Sequence, residues 1–206
     1  MRRKATFSVM ALVLLMLWVG RIYAVNASAD TIPQEFYEMG EWVPVEDGYI
    51  IDEYIERNEG YSFRVNSAEI MSPAEFAACY ARDGVDLGGT ELAKGERSVL
   101  AMSITMRNEG NVGGGIMSYM WRAVSASNDW ECKVDDELFS LVEDTGQEFR
   151  IGTDKSYTTV FPFTCYVDGP LLSPTSLEVR DEIRGREFTM NFTTRPVMKT
   201  TYISVS

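Results

Sequence analysis

The chain of 206 residues carries 31 Asp+Glu against 19 Lys+Arg; every acidic residue lies at Asp30 or beyond, while Arg2, Arg3, Lys4 and Arg21 precede it. So acidic a chain is not expected to bind nucleic acid or anionic lipid by counterion release. It contains no histidine, which removes Ser-His-Asp and Cys-His catalysis, HExxH zinc sites and histidine pH switching together.

Arg2-Arg3-Lys4 precedes residues 7–20, a run of 14 residues without charge, which is the layout of a basic n-region and an apolar h-region. The run is shorter than the ~20 residues that comfortably span a bilayer. If Arg21 snorkels, Ile22 to Val25 extend it enough for a tilted or thinned span. Ala27-Ser28-Ala29 is an acceptable small-x-small cleavage site. Residues 1–29 are therefore read as a signal or anchor segment and tether, either an uncleaved single-pass anchor or a cleaved signal. Both place the remainder outside the cytoplasm.

Residues 30–59 form an N-terminal extension. Residues 41–45 are a candidate first short strand, with Pro44 favouring an edge; residues 50–58 could be loop, strand or one helical turn. In residues 60–206, Tyr61, Phe63 and Val65 alternate with Ser62, Arg64 and Asn66, and the phase changes before Ala68 and Ile70, as a bulge requires. Ser72-Pro73-Ala74-Glu75 is a capping box with proline at the first helical position. The predicted helix covers 73–82 and ends at Asp83-Gly84. Phe76, Cys79 and Tyr80 would form its buried stripe, with Cys79 a packing thiol.

Residues 94–111 carry the clearest pattern. Leu100, Met102, Ile104 and Met106 share one face, and Val99, Ala101, Ser103, Thr105 and Arg107 share the other, as in a half-buried strand. Glu109-Gly110-Asn111 ends it. Gly113-Gly114-Gly115 lacks a following Lys-Ser/Thr and opens a strand, so it reads as a mobile hairpin connection and not a phosphate loop. Residues 116–126 are apolar on both faces, with Trp121 in the core; residues 128–132 read as a polar connection presenting Trp130, a possible interaction residue. Residues 138–142 and 157–164 are two more strands, Pro162 again suggesting an edge or bulge. Residues 170–185 read as loop. Phe188, Met190 and Phe192 alternate, and residues 197–205 close the chain. The count is about seven strands, an all-β sandwich with one short inserted helix.

Three cysteines are an odd number for an exported chain. Cys132 and Cys165, near candidate strand ends, form a possible disulfide, with reduced core thiols as the alternative. Carboxylates are the remaining chemistry. Glu46/Asp47, Asp52/Glu53 and Asp135-Asp136-Glu137 could supply a glycosidase pair if two came within about 5–9.5 Å, or hold calcium through oxygen ligands, Asp135 among them. A solvated acidic face is the plainer reading. No residue is assigned to catalysis, a cofactor or a metal.

Met39-Gly40-Glu41, Gly60-Tyr61-Ser62-Phe63-Arg64-Val65-Asn66, residues 98–111, residues 157–163 and Arg195-Pro196-Val197-Met198-Lys199 follow one another in a recognisable order. In these the chain resembles uncharacterised membrane-tethered bacterial surface proteins with an immunoglobulin-like domain, similar to immunoprotective extracellular antigen-like β-sandwiches. The resemblance implies an antiparallel immunoglobulin-like sandwich behind an N-terminal hydrophobic helix, a cell-surface location, and no site residues. No tryptophan lies between Cys132 and Cys165, so the antibody-type Cys-Trp-Cys arrangement is absent. The expected function is a non-enzymatic module contacting another envelope or extracellular protein. The alternatives are a carboxylate-dependent cell-wall glycan hydrolase and a structural accessory subunit of an envelope complex.

Overall fold

The computed structural model describes residues 2–27, 32–85, 98–126, 130–167 and 187–205, and the chain divides into two units, residues 1–32 and 33–206. The first unit is one helix, α1 (Arg2–Ala27). Among the described residues no helix is long and apolar enough to cross a membrane.

In the second unit β1 (Gln34–Tyr37) lies parallel to β11 (Met198–Ser204), while β2 (Val43–Pro44) pairs antiparallel with β3 (Tyr61–Met71). The chain thus starts one strand earlier than the pattern at 41–45 indicates. Four residues, Gln34-Glu35-Phe36-Tyr37, are too few for an alternation to show, and β11 supplies their pairing. Pro44 does sit in an edge strand. In β3 the register slips between Val65 and Ser67, which leaves Asn66 as the bulged residue.

One sheet carries nine strands in the order β1, β11, β10 (Glu187–Thr193), β6 (Arg122–Ser125), β7 (Trp130–Val134), β9 (Ser156–Val167), β4 (Val99–Asn108), β3, β2. A separate pair joins β5 (Ile116–Met117) to β8 (Glu148–Phe149). Strand β9 couples the two halves: its residues 156–164 pair with β4 and 163–167 with β7. Pro162 is in this interior strand, not at an edge. It is tolerated because β7 reaches only as far as Phe163, and the Pro162 carbonyl accepts from Asp135 N–H beyond it.

The sheet folds over on itself, and ring contacts show where. Phe63 on β3 stacks on Phe192 on β10 at 4.9 Å, although four strands separate them in the sheet. Trp121, after a single 3-10 turn at Ser118–Met120, lies between the layers with Phe63 at 5.2 Å, Phe161 at 5.1 Å and Phe192 at 5.4 Å, all edge-on. The inward residues Leu100, Met102, Ile104 and Met106 of β4 join this cluster.

On the opposite face, Val99 and Ala101 are buried too, because helices α2 (Pro73–Tyr80) and α3 (Asp136–Val142) cover the first half of β4. The half-buried reading therefore fails: on that face Thr105 is buried as well, and only Ser103 and Arg107 are partly exposed. Helix α2 has the full capping box of Ser72 and Glu75. Its buried residues are Pro73, Phe76 and Ala77; Cys79 is exposed with a free thiol, which corrects its reading as a packing residue. Helix α3 replaces a predicted strand at 138–142. Asp135 caps it through Leu138 N–H, and Leu138, Phe139 and Leu141 are buried, whereas an extended chain would send Leu138 and Phe139 to opposite faces. The described residues hold eleven strands and two helices in this unit, against the expected seven and one.

Because Trp121 touches rings from both layers, Trp121→Ala should destabilise the domain by about 3–5 kcal/mol. At roughly 2–4 °C per kcal/mol for a domain of this size, thermal unfolding should shift well beyond 5 °C. A shift of less than about 2 °C, equivalent to less than 1 kcal/mol, would mean that the two layers are held together elsewhere.

Candidate functional site

The loops that connect β2 to β3, β4 to β5 and β8 to β9 meet at one end of the sandwich, where Tyr61 is paired with Asn108. Residues 50–58, unresolved in the sequence, are a loop wound about the buried carboxylate of Glu56. Its Oε1 accepts from Ile51 N–H at 2.7 Å and Asp52 N–H at 3.2 Å, and its Oε2 from Ile50 N–H at 3.0 Å and the Asn58 amide at 3.4 Å. The Asp52 carboxylate accepts from Tyr54 N–H at 2.8 Å and closes the turn. Hydrogen bonds to an ionised group are each worth about 1.5–3 kcal/mol. With the backbone satisfied from inside, the apolar side chains are turned out: Ile51 is 68%, Tyr54 81% and Ile55 55% exposed.

The second loop is ordered by two asparagines. Asn108 is fully buried; its Oδ1 accepts from Gly110 N–H at 3.0 Å and Asn111 N–H at 2.7 Å, and its Nδ2 donates to the carbonyls of Asn111 at 2.8 Å and Ile151 at 2.7 Å. Asn111 Nδ2 donates to the carbonyls of Arg57 at 2.9 Å and Glu59 at 2.7 Å, and its Oδ1 accepts from Gly114 N–H at 2.6 Å. Three loops are thereby joined through two side chains. The glycine run, read as a mobile connection, is instead a packed joint: a Cβ on Gly114 would lie 1.8 Å from the Arg57 carbonyl oxygen.

Between residues 47–60 and 109–114 lies an open cleft of about 740 Å³, lined by five carboxylates (Asp47, Glu53, Glu56, Glu59 and Glu109) and one arginine, Arg57. Val112, 93% exposed, stands on its rim. A smaller cavity of about 300 Å³ continues past Tyr54 and Ile55 to Phe149. Near Phe149, burial, and then the Glu143 carboxylate at 2.5 Å, push the Tyr157 hydroxyl up to about 12; burial and Glu35 push Tyr37, on β1, up to about 12 as well. Both hydroxyls stay protonated donors near neutral pH.

The carboxylates singled out from the sequence do not form one constellation. Glu46 is an ion-pair partner of Lys199, a buried lysine that also donates to the Pro44 carbonyl at 2.8 Å and so ties β11 to β2. Asp52 closes its own turn, while Asp47 and Glu53 reach the cleft. Asp135 caps α3 and accepts from Thr164 Oγ1 at 2.6 Å, and Asp136 accepts from Gln147. Among the described residues no three His, Cys, Asp or Glu side chains are placed to hold a metal ion.

Trp130 belongs to strand β7 and not to a polar connection; its side chain lies outside the described residues, as does the predicted loop at 170–185. Cys132 is buried and disulfide-bonded, and its register partner across β7 and β9 is Cys165. Of the residues that order the loop end, Glu56 and Asn108 carry no signal in the sequence. Asn111 does, as the last residue of the turn Glu109-Gly110-Asn111.

Two glycines next to each other test the joint. Gly114→Ala should cost about 1–3 kcal/mol or more, as overpacking against backbone does. Gly113→Ala, whose added carbon would meet nothing within 4 Å, should stay within about 0.5 kcal/mol. Equal denaturation midpoints for the two variants would show that the joint yields.

Comparison with known proteins adds the context. No curated protein matches the chain. An uncharacterized β-sandwich protein from Clostridium difficile 630 superposes with a TM-score of 0.43 and 8% identity, over 86% of this chain and all of that one. A protein proposed to be a lipoprotein, from Bacillus subtilis subsp. subtilis strain 168, gives 0.36 and 11% identity over 79% of this chain, which spans 39% of that protein's chain. A family model described as a domain of unknown function matches residues 34–199, from the first residue of β1 into β11. The chain therefore belongs to the DUF5028 family, a domain of unknown function with a predominantly β, sandwich-like fold.

Proposed function

We propose that the protein is a non-enzymatic interaction module of the cell envelope, acting outside the cytoplasm and contacting a protein partner through the loop end of its sandwich. One observation carries this reading: Ile51, Tyr54, Ile55 and Val112 are exposed on loops whose backbones are fixed by Glu56, Asn108 and Asn111. Grouped exposed apolar side chains mark contact surfaces, and a surface held in place before binding loses little entropy on binding. Binding residues commonly sit on loops carried by a rigid scaffold.

The location reading rests on the basic-then-apolar segment at residues 2–20 and on the disulfide at Cys132, a bond that persists in oxidising compartments. We assign its partner as Cys165, the residue opposite in register. The immunoglobulin-like description draws support from the division of the first two strands between β11 and β3 and from the buried tryptophan between the layers. The glycan hydrolase is the weaker reading despite the acidic cleft. Its general acid needs shelter from water, whereas Asp47, Glu53 and Glu59 are exposed and Glu56 is occupied by four N–H donors.

The test replaces Cys79 by serine and puts a single cysteine at the loop end, Tyr54→Cys, or at a remote site, Glu69→Cys. Glu69 lies eight residues along β3 from Tyr61. Intact cells are treated with a membrane-impermeant thiol photo-crosslinker. The reading expects labelling of both variants from outside and one reproducible protein adduct from Tyr54→Cys alone. Labelling only after lysis would overturn the location, and identical adduct patterns from both sites would overturn the loop-end contact.

A further inference from the structure

We infer that the cleft at the loop end accepts a basic, apolar peptide segment: lysine or arginine side chains against the acidic wall, and neighbouring apolar side chains on the rim. This deepens the interaction-module reading and rests on it. The carboxylates of Asp47, Glu53 and Glu59 line the cleft without a hydrogen bond or ion pair among the described residues. Glu109, by contrast, is paired with Arg107 at 3.0 Å. Three unpaired negative charges facing one concavity, against the single guanidinium of Arg57 on its wall, leave a net negative potential there and favour a cation.

Independently of those charges, Asn58 lines the same cleft at 6% exposure, and its Oδ1 has no donor. A buried amide oxygen left without a donor costs free energy, which a ligand N–H would recover once the Asn58 side chain turned that oxygen toward the cleft. Lysine and arginine are donor-only side chains, which match both features at once. The rim then decides against a free inorganic cation or a small polyamine. Tyr54 and Val112 expose apolar surface beside the acids, and only an occupant with apolar groups next to its charges would cover both. An anionic membrane surface does not fit, since the wall would repel it.

The experiment uses the full chain in detergent micelles and a fluorescent peptide of alternating lysine and leucine. Controls are a glutamate–leucine peptide and a lysine–serine peptide of the same length. Expected is saturable binding of the lysine–leucine peptide, weakened by salt and by about tenfold in the triple variant Asp47→Asn/Glu53→Gln/Glu59→Gln. A remote triple variant, Glu69→Gln/Asp83→Asn/Glu187→Gln, should bind as the parent does, and the lysine–serine peptide should bind more weakly. Equal losses in both triple variants would reduce the effect to general attraction and overturn the site. So would equal binding of the glutamate–leucine peptide, or no binding at all. If the peptide fails while the Tyr54→Cys crosslink captures a protein, the chemistry assigned to the partner is wrong and the module stands. If both fail, the module falls with it.

Discussion

A buried carboxylate surrounded by backbone N–H groups is the constraint on which the loop end depends. Loops at the end of a sandwich cannot draw rigidity from a hydrophobic core, because their backbone polar groups need partners that a core cannot offer. Glu56 supplies those partners for residues 50–52, and Asn108 and Asn111 do so for the N–H groups of Gly110, Asn111 and Gly114 and for the carbonyls of Arg57 and Glu59. The sheet beneath fixes where these side chains stand. Asn108 ends β4 opposite Tyr61, and β4 is held between the Trp121 cluster on one face and the two helices on the other. Packing in the core thus sets the position of Asn108, and Asn108, Asn111 and Glu56 in turn set the loops.

The same logic explains how the acidic residues divide. A carboxylate that caps a helix, closes a turn or pairs with a buried lysine has its lone pairs already engaged, as Asp135, Asp52 and Glu46 do. What remains available at the cleft is Asp47, Glu53 and Glu59. An abundance of acid in the composition therefore says little about chemistry until the engaged groups are separated from the free ones. A sandwich fold hosts many functions, so the reading rests on the site and not on the architecture.

What could be read from the sequence was local. The capping box at Ser72 and Glu75, the bulge at Asn66, the edge proline at 44 and the strand at 99–108 each depend on residues a few positions apart, and each is present. What could not be read was set by partners far along the chain. Strand β1 exists because β11 pairs with it in parallel, and Cys79 faces outward because Ala77 and Phe76 already fill the contact with β4. Residues 138–142 are a short, mostly apolar run of strand length, yet Asp135 caps them as a helix, as Ser72 does for α2. In the site, the acids were visible but their tasks were not, since Lys199 lies 153 residues from Glu46. The glycine run looked mobile because the residue it packs on, Arg57, is distant in sequence.

The central claim is that the loop end is fixed before any partner arrives. Amide hydrogen exchange of the full chain measures it directly. The account predicts that Ile51, Asp52, Asn111 and Gly114 exchange slowly, within reach of the protection of β3 and β4, because each N–H is bound to a Glu56 or asparagine oxygen. Exchange of these amides at the rate of unprotected loop residues, with β3 and β4 still protected, would contradict it.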